Sequence, residues 1–130
     1  MKENEISYKI RGAIYKVYNN LGPGLLESIY EKALAYELRK IGLTVSTQQE
    51  ISVIYVGEDL GVGLRLDLLV ENCVIIEVKS KEDLTKVDHK QLITYLKVTD
   101  LRLGILVNFQ VDDINDGIFR KVNRLPNTRG

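Results

Sequence analysis

The spacing of apolar residues changes along the chain, and the changes mark its elements. Ile6, Ile10, Ala13, Ile14, Val17 and Leu21 recur at steps of three and four, which predicts an amphipathic packing helix over about 3–20. Gly22-Pro23-Gly24 breaks it, and a second helix is predicted to start there with proline at or near its first position. Leu26, Ile29, Tyr30, Ala33, Leu34, Leu38 and Ile41 form the stripe of that helix, and Gly42 ends it. Strand composition follows, with three antiparallel strands over roughly 50–56, 62–70 and 73–80. After a polar loop over 81–85, a third helix is predicted over about 86–98 with Val87, Leu92, Ile93, Tyr95 and Leu96 inward. The continuous apolar run from Leu101 to Phe109 is a strand, and the strand-helix-strand order makes it parallel to the third strand through a right-handed crossover. Gln110 to Asp116 is a polar connection, 118–123 a last edge strand, and 125–130 a frayed tail.

Charge interrupts this pattern where it is costly. Leu64 to Ser80 reads as a hairpin apolar enough to be covered on both faces, yet it contains Asp67, Glu77 and Lys79. Buried carboxylates are tolerated when paired or bound to a metal. Side chains alternate along a strand, so Glu77 and Lys79 share a face. A two-residue turn at Glu71-Asn72 would put Asp67 on the opposite face from Glu77. A loop of Glu71, Asn72 and Cys73 instead pairs Val70 with Val74, Leu68 with Ile76 and Asp67 with Glu77. This second register is the predicted one, with Leu66, Leu68, Val70, Val74, Ile76 and Val78 on one face and the three charges on the other.

Two carboxylates directly opposite each other repel. A divalent cation reverses that sign, and the hard oxygens of Asp67 and Glu77 suit Mg²⁺ or Mn²⁺, with waters and a substrate phosphate completing the shell. Lys79 would point at the same substrate, where an amine orients or deprotonates an attacking water or offsets charge on a phosphate. Glu27 lies beside the apolar stripe of the second helix, three residues from Gly24 and Tyr30. By spacing alone it reads either as a first-turn glutamate favouring the helix dipole or as a site residue. Glu31, Glu37, Arg39 and Lys40 read as a solvated face, and Gln91 and Tyr95, four apart, share a face of the third helix.

Composition narrows the classes. At 130 residues the chain is a single domain, with 45% hydrophobic and 28% charged residues, as in soluble globular proteins. No apolar run is long enough for a membrane span and the start lacks a signal-peptide pattern, so cytoplasmic residence is the expectation. Zero net charge removes any global pull toward nucleic acid or an anionic membrane, so polyanion binding must be local. One cysteine, Cys73, and one histidine, His89, exclude an internal disulfide and argue against a zinc cluster. Cys73 reads as a small buried apolar residue and His89 as a surface one.

The order helix, three antiparallel strands, helix, parallel strand, with Asp on the second strand and Glu-x-Lys on the third, resembles the PD-(D/E)XK nuclease superfamily. Gln91-Leu92-Ile93-Thr94-Tyr95 is similar to the Gln-x-x-x-Tyr motif of its exonuclease-related branches. More narrowly, Gly24-Leu25-Leu26-Glu27-Ser28-Ile29-Tyr30 resembles the signature of the small GxxExxY proteins, with the likeness running over nearly the whole chain. That family often has histidine at the positions matching Tyr18 and Asp88, and His89 lies one residue off the second.

The resemblance implies a restriction-endonuclease-like α/β core, α-β-β-β-α-β, with a mixed sheet flanked by helices. It implies a metal-dependent phosphodiesterase acting on DNA or RNA. In that reading Asp67, Glu77, the Val78 carbonyl and Glu27 hold Mg²⁺ or Mn²⁺, Lys79 acts on the water or the phosphate, and Gln91 and Tyr95 orient Lys79 or a substrate phosphate. Lys81, Lys86, Lys90 and Lys97 supply a local basic track, and the small surface leaves room for a homodimer or a protein partner. Two other readings stay open: a buried ion pair of Lys79 with Asp67 or Glu77 that holds the hairpin register, and a catalytically silent nuclease-fold module that binds nucleic acid or protein.

Overall fold

The computed structural model describes residues 2–124, so the predicted tail over 125–130 lies outside the described residues. Helices α1 (Lys2–Leu21) and α2 (Glu27–Lys40) precede three strands, β1 (Val45–Tyr55), β2 (Glu58–Val70) and β3 (Val74–Lys79). Helix α3 (Lys86–Thr99), strand β4 (Leu103–Asn108), a short 3₁₀ turn (Ile114–Gly117) and strand β5 (Ile118–Val122) complete the order. The strands form one sheet in sequence order, antiparallel except for the parallel pair β3 and β4, which α3 connects as the crossover rule requires. The predicted α/β core with a mixed sheet between helices is the observed one.

The sheet is covered on both sides, which is why β3 and β4 carry almost unbroken apolar sequence. On one side α1 and α2 bury Ile6, Ile10, Ile14, Val17, Tyr30, Leu34 and Leu38 against Leu68, Val70, Val74, Ile76, Val78, Ile105 and Val107. On the other, Leu92 and Leu96 of α3 pack with Leu64, Leu66, Ile75 and Leu106. The hairpin register is the predicted one, with Val70 opposite Val74 and Leu68 opposite Ile76. Glu71 and Asn72 take left-handed φ of 53° and 55° in its loop.

The structure corrects four details. Leu66 joins the α3-side cluster while Leu68 joins the other, so β2 does not keep one face through Asp67, where its regular pairing with β3 stops. Helix α2 begins at Glu27 rather than at the proline, because Gly22 and Gly24 adopt left-handed φ of 67° and 106° and hold the chain out of the helix. Leu21, Leu26, Ile29 and Ile41, placed on the inward stripes, are exposed, as is Val87 of α3. Each lies in or beside an end turn of its helix, past the reach of the sheet. His89 is half-buried, its ring edge-on to Phe119 at 4.8 Å, and so is a packing residue rather than a surface one. Cys73 is half-buried beside the α1 and α2 core and free, close to its expected place.

Gly104 sets how closely α3 approaches the sheet. A Cβ there would lie 2.9 Å from Leu92 Cδ1 and 3.0 Å from its Cγ, so the whole leucine would have to move within a filled core. Gly104→Ala should therefore lower stability by about 1–3 kcal/mol, the usual range for overpacking, as a shifted urea midpoint with unchanged slope.

Candidate active site

The two carboxylates meet where the hairpin ladder opens. Asp67 N–H donates to Glu77 Oε2 at 3.0 Å, and Val78 N–H donates to Asp67 Oδ2 at 2.8 Å. Each acid thus takes the opposite strand's amide in place of a backbone carbonyl. The exchange fixes both side chains and brings their charges together. The Glu77 oxygen so engaged is Oε2.

The electrostatics follow from this pairing. Glu77 is 4% exposed, and burial, with the Asp67 charge next, pushes its carboxyl up to about 8. Asp67 is also raised, mainly by burial, against the opposing effects of the Val78 amide, the Lys79 charge and Gln48. Lys79 lies half-buried at the end of β3, and among the described residues it makes no ion pair. Its charge eases both acids without neutralising either at contact distance, so the ion-pair explanation of the three charges does not hold. Tyr95 on α3 faces the same centre: burial, then Glu77 and Asp67, raise its phenol. Gln91, one turn earlier, is half-buried.

Glu27 reaches the centre from α2. Its Oε2 accepts from Ser80 N–H at 3.2 Å, just beyond β3, and its charge raises the Asp67 carboxyl. As the first helical residue it also sits where the helix dipole favours an anion. A set of ties places it there. Tyr30 is fully buried, stacks on Phe109 at 4.3 Å, donates to Gly22 O at 2.6 Å and accepts from Leu25 N–H at 3.1 Å. Ser80 Oγ donates to Leu25 O at 2.8 Å. Asn108 Nδ2 donates to Lys81 O and its Oδ1 accepts from Lys81 N–H, at 2.8 and 3.1 Å. The glycine-rich loop, the end of β3 and the end of β4 are thereby locked around the acids.

Two residues at this site were not anticipated. Glu31, read from sequence as part of a solvated face, is half-buried one helical turn after Glu27; burial and then the Asp67 charge raise its carboxyl. Gln48 on β1 bridges the two, donating to Glu31 Oε1 at 2.6 Å with a longer 3.5 Å contact to Asp67 Oδ1. The four-residue step from Glu27 to Glu31 puts them on one face and was the available clue. Asp88 and Tyr18 lie elsewhere. Asp88 forms a capping box with Thr85 at the start of α3, pairs with Lys81 at 2.9 Å and is held at about 2 chiefly by the Thr85 amide. Tyr18 donates to the carbonyls of Val111 and Asp112. Lys81 is thus engaged with Asp88, whereas Lys86, Lys90 and Lys97 are exposed on α3.

Among the described residues no three His, Cys, Asp or Glu side chains come close enough to hold a metal ion by themselves. The donor set still fits a hard divalent cation of the Mg²⁺ kind, which binds through one or two carboxylates and keeps several waters. Asp67 and Glu77 are two such carboxylates, and the charge of Asp67 raises the Glu77 carboxyl.

A mixed sheet carrying an acid pair and a lysine on adjacent antiparallel strands, with a further acid supplied by the preceding helix, defines a nuclease-like α/β domain. The chain belongs to the PD-(D/E)XK nuclease superfamily, whose family model matches residues 4–121. No curated protein and no solved structure matches it. No helix among the described residues is long and apolar enough to cross a membrane.

The raised Glu77 carboxyl makes metal-free stability pH-dependent. Between its ordinary 4.5 and about 8 the folded chain holds a proton that the unfolded chain releases, so stability falls as pH rises through this window. Glu77→Gln removes that dependence. In EDTA it should melt several degrees above wild type at pH 8, with the difference vanishing toward pH 4.5, as read by calorimetry across the range.

Proposed function

We propose that the protein is a metal-dependent nuclease hydrolysing phosphodiester bonds in DNA or RNA, of the GxxExxY kind, and that it works in the cytoplasm. The observation that carries this reading is the pair of amide contacts, Asp67 N–H to Glu77 and Val78 N–H to Asp67, which holds two repelling carboxylates together with no cation in ion-pair contact among the described residues. Such an arrangement is unfavourable on its own and favourable once a divalent cation is added. Superfamily membership supports the same chemistry.

Asp67 and Glu77 would hold Mg²⁺ or Mn²⁺, with the Val78 carbonyl and Glu27 as further oxygen donors. When bound, the ion polarises a scissile phosphate and acidifies an attacking water. Lys79, free of ion pairs among the described residues, takes or orients the proton of that water and offsets charge on the phosphate. Tyr95 and Gln91 hold Lys79 or a phosphate oxygen in place from α3. Lys86, Lys90 and Lys97 give α3 a basic outer surface for the nucleic-acid backbone, which matters in a chain of zero net charge. A second copy or a protein partner completes the grip on a duplex.

A catalytically silent nuclease-fold module that binds nucleic acid or a protein partner is the second reading. It is favoured by the lack, among the described residues, of a third metal-binding side chain close to the acid pair. Cleavage separates the two. Purified protein is incubated with labelled single- and double-stranded DNA and RNA in Mn²⁺, Mg²⁺ or EDTA. Metal-dependent cutting is expected, lost together with Mn²⁺ binding in Glu77→Ala. Lys79→Ala should keep Mn²⁺ binding and lower turnover by about 10²-fold or more, as loss of an acid-base or charge-stabilising group does. Equal turnover in wild type and both variants would sink the nuclease assignment.

A further inference from the structure

Gln48 occupies a conformation that a strand does not require. Thr47 pairs with Leu68 and Gln49 with Leu66, so Gln48 stands opposite Asp67 within β1. Its φ is 51°, a left-handed backbone that is strained for a non-glycine residue and persists only where surrounding structure enforces it. The ordinary extended backbone on either side shows that β1 is not turning there. What the local conformation accompanies is the bridge already described: the Gln48 amide spans Glu31 on α2 and Asp67 on β2, at 2.6 and 3.5 Å. Three separate elements are joined by that one side chain. Asp67 Oδ2 accepts from the Val78 amide, and Oδ1 is the oxygen that faces Gln48.

We infer that Gln48, anchored by Glu31, is a positioning residue that aims Asp67 Oδ1 at the metal. The inference rests on the proposed metal site and names a residue acting through one of its ligands. An amide donor beside a ligating carboxylate orients it and limits its repulsion with neighbouring acids, and loss of such outer partners typically weakens metal affinity by about 10–100-fold. Glu31 fixes the amide by accepting one of its two N–H groups, leaving the other directed toward Asp67. A tie made only to hold β1 in the sheet would need no left-handed residue, because the ladder on both sides of Gln48 already pairs β1 with β2.

Gln48→Gly separates the two roles, since glycine accepts the φ without strain and lacks the side chain. Mn²⁺ binding would be measured by titration of the full chain, counting free Mn²⁺ by electron paramagnetic resonance, with melting in EDTA alongside. The expected result is Mn²⁺ affinity weakened about 10-fold with melting equal to or above wild type. Glu31→Ala should weaken Mn²⁺ binding in the same direction, and the double variant by less than the product of the two, because both act through one bridge. Mn²⁺ affinity within twofold of wild type in Gln48→Gly would overturn the inference and leave the metal site standing. Failure of wild type itself to bind Mn²⁺ would overturn the site and the inference together.

Discussion

The structure turns on two crossed amide contacts, Asp67 N–H to the Glu77 carboxylate and Val78 N–H to the Asp67 carboxylate. Where β2 and β3 would continue as an ordinary ladder, each carboxylate takes the other strand's N–H. Two acids are thereby fixed in a sheet interior that disfavours even one of them. The Lys79 charge eases the repulsion only in part, and burial with the Asp67 charge still pushes the Glu77 carboxyl up to about 8. The hairpin is therefore built for something other than its own stability. The core around it, apolar on both sides of β3 and β4, supplies the stability that this centre consumes.

The surrounding ties serve the same constraint. Tyr30 reaches back from the first turns of α2 to the loop over 22–26, and Ser80 links that loop to the end of β3. Asn108 holds the backbone of Lys81 from β4. These contacts draw together segments far apart in the chain, so that Glu27 arrives at the acids from a helix more than fifty residues upstream of Ser80, their separation being 53 positions. The Gly-x-x-Glu-x-x-Tyr spacing gains a physical meaning from them: the glycine makes the turn, the tyrosine clamps it, and the glutamate between them meets the Ser80 amide at the end of β3.

Much of this was legible beforehand. The hairpin register followed from two requirements, that the apolar residues near the turn stay together and that Asp67 and Glu77 share a face, and the pairs Val70 with Val74 and Leu68 with Ile76 bear it out. The parallel placement of β4 followed from the helix between the strands, since a strand-helix-strand run crosses over to a parallel strand. Strict alternation misplaced Leu66, because the rule assumes an uninterrupted strand and β2 is interrupted at the residue the site depends on. Helical periodicity likewise overcounted the inward residues at helix ends, where Leu26, Ile41 and Val87 project past the sheet.

The sequence by itself determined the elements, their order, the mixed sheet and the presence of charge where a core should be, because each of these depends on local spacing and on the cost of burying a carboxylate. Tertiary structure alone decided which polar residues join that charge. Glu31 looked solvated because its own helix gives no sign of β1 lying across it. Gln48 carries no mark in composition, since a left-handed backbone at a glutamine is imposed by neighbours and not by the residue. Asp88, adjacent to the only histidine, is drawn off to cap α3 and hold Lys81. Spacing along a chain reports which side chains share a face, whereas the meeting of faces from α2, β1, β2 and β3 is set by packing over the whole domain.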